Sequence, residues 1–104
     1  MEKSSIYLTD NIKDQNVDSL LSLARSKSMP YGYFVIVVGI KDEELLVMYS
    51  SSGVNKDRFV ESNYHIVGFG KGKRQTRKLI VKIFDDMMEK KGEITKENLM
   101  AIGN

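Results

Sequence analysis

The sequence predicts an α+β fold: an antiparallel sheet of three to four strands with two main helices, in the order (β)αβββα plus a short C-terminal helix. Three observations lead to it. Val17, Leu20, Leu21 and Ala24 recur at the spacing of one helical face, and Ile80, Ile83, Phe84, Met87 and Met88 form a second such stripe. Between the two stripes lie three segments rich in β-branched and aromatic residues, separated by polar or glycine-bearing turns. Residues 1–104 read as a single small domain, long enough for one modest core.

Taken in order, "SSIYL" at 4–8 is a short first strand. Residues 16–27 form the first helix, with Asp14 or Asn16 to cap it, Asp18 in its first turn, and Arg25 and Lys27 in its last. Pro30 prevents its continuation. "YGYFVIVVGI" at 31–40 is apolar without alternation, as in a strand buried on both faces. "KDEE" makes a polar turn and "LLVMYSS" at 45–51 returns as its antiparallel partner. The loop "SGVNKDRFVES" holds at most one helical turn. "NYHIVGF" at 63–69 is the third strand, with Tyr64 and Ile66 on one face and His65, Val67 and Phe69 on the other. Residues 75–91 form the second helix, stopped by Gly92, and Thr95 starts a short last helix.

With both helices on one face of the sheet, half of the side chains in 33–38 would stay uncovered. Both sets are apolar: Tyr33, Val35 and Val37 against Phe34, Ile36 and Val38. The expectation is therefore a homo-oligomer, with a second copy on the open face.

Composition narrows the function classes. Apolar residues at 41% and charged residues at 29% describe a globular chain. The absence of cysteine excludes disulfides and zinc sites built on thiolates. "MEKSSIYLTD" has no apolar leader core, and no apolar run approaches ~18 residues, so a cytoplasmic protein without a membrane span is expected. Twelve lysines against four arginines, with abundant Asn, Ile and Ser, fits an AT-rich genome, phage-like or that of a low-GC bacterium.

Charge is uneven. "GFGKGKRQTRK" at 68–78 contains Lys71, Lys73, Arg74, Arg77 and Lys78 and no acid, while the rest of the chain has eleven cations against fourteen anions. These cations stand at the start of the second helix and oppose its macrodipole, which costs roughly 0.3–1 kcal/mol each at exposed positions. The first helix obeys the charge rule that the second breaks, and local rule-breaking points to function. An anion there would meet free helix-start N–H groups and cationic side chains together. Gly68, Gly70 and Gly72 would let the backbone approach it closely. The same residues also fit a plain strand-to-helix turn, which needs glycine and tolerates solvated lysines. Two standard phosphate loops do not fit the spacing. A P-loop needs G-x-x-x-x-G-K-[ST], but Arg74 follows Lys73 and Val67 stands where its first glycine belongs. Glycines at alternate positions also miss the G-x-G-x-x-G spacing.

The order α-β-β-β-α, with G-x-G and basic residues opening the last helix, resembles double-stranded RNA-binding domains over roughly residues 16–90. The resemblance implies phosphate contacts by Gly70, Gly72, Lys73, Arg74 and Lys78. Leu79, Ile80, Val81 and Ile83 stand where that family has small alanines in the last helix, and "KDEE" replaces its Gly-Pro-x-His-type loop.

The expected function is non-enzymatic binding of a phosphate-bearing ligand through Gly68, Gly70, Lys71, Gly72, Lys73, Arg74, Arg77 and Lys78. Nucleic-acid backbone is favoured over a free or cyclic signalling nucleotide, whose base would stack on Tyr64, His65 or Phe69. The alternative is a small protein-interaction module, a regulator, inhibitor or assembly subunit, acting through an apolar sheet face or the Met-bearing C-terminal region. No cofactor or metal is expected. Asp10, Asp14 and Asp18 straddle a helix start and are explained by capping, and His65 is the only imidazole, with no Ser or Thr singled out beside it. "SSSG" at 50–53 lacks the G-x-S-x-G of a nucleophile elbow.

Overall fold

The computed structural model describes residues 6–56, 59 and 63–102. Ser4 and Ser5 of the expected first strand, and residues 57, 58 and 60–62 of the expected loop, lie outside the described residues. The elements run β1 (Tyr7–Leu8), α1 (Val17–Arg25), β2 (Tyr33–Val38), β3 (Leu46–Ser50), α2 (Ser51–Val54), β4 (Ile66–Lys71), α3 (Lys73–Lys91) and α4 (Lys96–Met100). The chain is α+β, but its four-stranded sheet is mixed rather than antiparallel. The strand order is β1-β4-β2-β3, and β1 runs parallel to β4 while the other pairings are antiparallel.

Local chemistry sets the helix ends. The Asn16 side chain accepts from the Ser19 amide at 2.8 Å and caps α1, and Asp18 sits in its first turn. Lys27, at φ 58°, leaves the helical conformation, and the Ser28 amide closes back onto the Leu23 carbonyl at 2.9 Å. Lys27 therefore lies beyond α1, and its ammonium donates to the carbonyls of Lys56 and Phe59 instead of sitting in the last turn. Thr95 caps α4 through the Asn98 amide at 3.1 Å, and α3 stops where the Gly92 amide donates to Met88 O.

The two main helices lie on opposite faces of the sheet. Leu20 and Ala24 of α1 and Val54 of α2 pack with Tyr33, Val35, Val37, Ile66 and Phe69. Leu79, Ile83 and Met87 of α3 and Leu99 of α4 pack with Ile36, Val38 and Val67. Two apolar faces on β2 are thus correct, and the chain's own helices cover both. The reason for expecting a second copy is gone, and so is the open sheet face, one of the two surfaces offered for the protein-interaction reading. The resemblance to double-stranded RNA-binding domains does not extend to this layering, because that family leaves one sheet face exposed.

The alternation expected in β4 is also corrected. Ile66 and Phe69 share one face and Val67 points to the other. The register between β2 and β4 shifts between Ile36 and Val37, so β4 carries one extra residue and its phase inverts there.

Candidate functional site

The stretch 68–78 is mostly strand and helix, with a single residue of turn. β4 runs through Gly68 and Gly70 to Lys71, and α3 begins at Lys73. Gly72, at φ 90° and ψ 136°, makes the whole connection in a conformation that side-chain-bearing residues rarely adopt. Gly68 and Gly70 serve packing instead. A Cβ at Gly68 would stand 3.2 Å from the Tyr7 carbonyl of the neighbouring strand, and one at Gly70 would overlap the Thr76 side chain. Both glycines are buried. The two therefore admit β1 and α3 to β4, and neither offers its backbone to a ligand.

The turn is fixed from both sides. The Gly72 amide donates to Gly32 O at 2.8 Å, joining it to the entry of β2. The Lys71 amide donates to Thr9 Oγ1 at 3.0 Å and its carbonyl accepts from Asn11 Nδ2 at 2.8 Å, joining it to the segment after β1. From inside α3, Thr76 Oγ1 donates to Gly72 O at 2.7 Å. No side chain caps the start of α3, and its first turn contains no acid.

On this platform the cations divide. Lys71 Nζ lies 5.8 Å from the centroid of the Tyr33 ring, whose hydroxyl donates to Asp14 Oδ1 at 3.0 Å. It belongs as much to the fold as to the surface. Burial of the Tyr33 phenol, then its bond to Asp14, raises its pKa. Lys73, Arg74, Arg77 and Lys78 are exposed on the first two turns of α3. Lys73 with Arg77 and Arg74 with Lys78 are like-charge pairs at i,i+4, each destabilising the helix by a few tenths of a kcal/mol. Among the described residues the ion pair on α3 is Lys82 with Asp86 at 3.7 Å, and it involves none of the four. A groove of about 240 Å³ runs between Thr9–Asp10 and the α3 residues Gln75, Lys78 and Lys82, with Asp10 as its one acid.

The residues expected to stack on a base are elsewhere. Phe69 is fully buried under α1. Tyr64 lies against Phe59, rings 4.6 Å apart and 7° from parallel. His65 Nε2 is 2.6 Å from the Ile102 carbonyl. Tyr64 and His65 precede β4, about 20 Å from its basic end at ~3.3 Å per residue. None of the three joins the cluster. The aromatic that does stand beside it is Tyr31, 97% exposed and one residue before the Gly32 that receives the Gly72 bond. Sequence reading placed Tyr31 at the start of a buried strand. Pro30 and Gly32 on either side of it were the available turn signal.

No protein-family model, no curated protein and no solved structure matches the chain. Among the described residues, no helix is long and apolar enough to cross a membrane, and no three His, Asp or Glu side chains group as a metal site would.

Proposed function

We propose that this chain is a non-enzymatic, cytoplasmic binding protein that engages the phosphate backbone of nucleic acid through the first two turns of α3. The observation that carries the reading is the set Lys73, Arg74, Arg77 and Lys78. Four exposed cations stand at an uncapped helix start, where both the macrodipole and their own i,i+4 repulsion disfavour them. A polyanion relieves both costs. Free-nucleotide sites are concave and usually enclose ~300–1,000 Å³. These cations stand on the outer surface of a helix, and the groove beside them, about 240 Å³, falls below that range. A backbone that tracks along a surface fits better than a nucleotide that must be enclosed. The chain's one imidazole, His65, is at the far end of β4 and hydrogen-bonded there, so charge rather than a nucleophile–base pair is what the surface offers.

The test is binding of a single-stranded and a duplex oligonucleotide across a salt series. Each phosphate contact contributes about −0.9 to the slope of log K against log salt for duplex and about −0.7 for a single strand. Arg74→Ala with Lys78→Ala is expected to weaken binding at every sequence and to flatten the slope by about two contacts. Unchanged affinity and slope in that variant would refute the proposal.

A further inference from the structure

We infer that Tyr31 is a stacking platform for an unpaired base, which makes the ligand of the basic surface single-stranded nucleic acid; this rests on the reading just given. Tyr31 is 97% exposed, so its ring contributes almost nothing to the core and has both faces open. Its backbone, by contrast, is held firmly. The Tyr33 amide donates to Pro30 O at 3.2 Å, closing a turn with Tyr31 and Gly32 at its two corners, and Gly32 takes φ 89°. Positive φ at the third position is the mark of a type II turn, which glycine permits. The second corner, Gly32, accepts the Gly72 amide at 2.8 Å, so the turn that carries the aromatic and the turn that launches the cations are bonded to each other.

This combination has a particular use. Proteins that bind single strands join cations that follow the phosphates to aromatic rings on which successive bases stack. In a duplex the bases are paired and stacked inside, so a ring at the tip of a turn meets only the backbone or a groove edge. A single strand can place its phosphates along Lys73, Arg74, Arg77 and Lys78 and turn a neighbouring base onto Tyr31. The acids at this end do not compete for the ring. Asp14 is bonded to the Tyr33 hydroxyl and Asp10 lines the groove beside Lys78. Because Tyr31 packs against so little of its own chain, it can be replaced without disturbing the fold.

The experiment compares a short single strand, the duplex of the same sequence and an abasic single strand, by fluorescence anisotropy at one salt concentration. The proteins are the wild type, Tyr31→Ala, Tyr31→Phe, Tyr31→Trp, and Arg74→Ala with Lys78→Ala. Tyr31→Ala is expected to weaken single-strand binding roughly ten-fold, leave duplex binding unchanged, and keep the wild-type melting temperature. Tyr31→Phe should retain affinity. The abasic strand should bind wild type and Tyr31→Ala alike. The chain contains no tryptophan, so the Tyr31→Trp variant adds a single reporter whose emission should be quenched by the single strand and not by duplex. Equal single-strand affinity of wild type and Tyr31→Ala overturns this inference alone, provided the Arg74/Lys78 variant still loses binding. Loss-free binding by the Arg74/Lys78 variant, or no binding of any strand by wild type, overturns the phosphate reading and this one with it.

Discussion

Thr76 occupies the space that a side chain at Gly70 would need. A Cβ built on Gly70 would overlap the Thr76 hydroxyl and lie 2.7 Å from the Thr76 Cβ. Thr76 is itself fully buried, with its hydroxyl bonded to Gly72 O, so it cannot swing away. The glycine thus lets α3 begin directly against the strand that leads into it, and the direction of the basic helix is set by this contact. Gly70→Ala is expected to destabilise the fold by about 1–3 kcal/mol, as overpacking does. A urea titration would show it as a lower midpoint with an unchanged slope. An undisturbed midpoint would mean that α3 is not seated on β4 in this way.

Arg74 offers a separation of stability from binding. In an uncapped first turn without acids, a carboxylate complements the helix dipole that an arginine opposes. Arg74→Glu also turns the i,i+4 contact with Lys78 from repulsive to attractive, in the favourable order of acid before base. The variant is expected to gain roughly 0.3–1 kcal/mol in low salt while losing affinity for nucleic acid. Thermal melting and oligonucleotide binding on the same preparation check the two signs. A variant that is both less stable and fully able to bind would contradict the argument at both points.

What the sequence made legible follows from local chemistry. Asn16, Thr95 and Gly92 mark helix ends through bonds within a few residues, and these positions were readable. The apolar run in β2 correctly announced burial on both faces. Which element would cover each face was not readable, because an amphipathic stripe shows that a helix must be buried and not on which side of the sheet. That side depends on the connections, here the single residue Gly72 between β4 and α3. β1, a two-residue strand, is too short to show a period, so its parallel pairing left no trace. At the candidate site the cations were visible as a charge run. The glycines beside them, read as ligand-facing, are explained for Gly68 and Gly70 by close packing that only the fold reveals.

The two-sided core has a measurable consequence. Leu20 projects from α1 and Ile83 from α3, both fully buried and on opposite faces of the sheet. Leu20→Ala and Ile83→Ala are each expected to cost about 2–5 kcal/mol. Because they pack in separate clusters on the two faces, their effects should sum in the double variant to within ~0.5 kcal/mol, if that variant stays folded enough to measure. The milder pair Leu20→Val and Ile83→Val covers the case where it does not. A negligible cost at Ile83 would mean that α3 does not cover the sheet and would reopen the case for a second copy.

Tyr7 and Asp86 give the fold an alkaline signature. The Tyr7 hydroxyl donates to Asp86 Oδ2 at 2.8 Å, and Asp86 also faces Lys82 at 3.7 Å. Burial first, then the bond to Asp86 and its charge, push the Tyr7 pKa up to about 12 from an ordinary 10.0. The neutral phenol is the form that the folded state prefers, so the folded chain holds this proton more tightly than the unfolded chain does. The resulting stability is fully present below pH 10 and is lost as pH rises toward 12. Tyr33 and Tyr49 are shifted in the same direction and act in the same alkaline range, so the informative quantity is a difference between two proteins. Tyr7→Phe is expected to be less stable than wild type by about 1 kcal/mol at neutral pH, through the lost hydrogen bond. That gap should narrow between pH 10 and 12, because only the wild type still has the Tyr7 proton to lose. Denaturant midpoints for the two proteins across pH 7–12 would check it, and a gap that stays constant or widens would show that the Tyr7 hydroxyl is not bonded to Asp86.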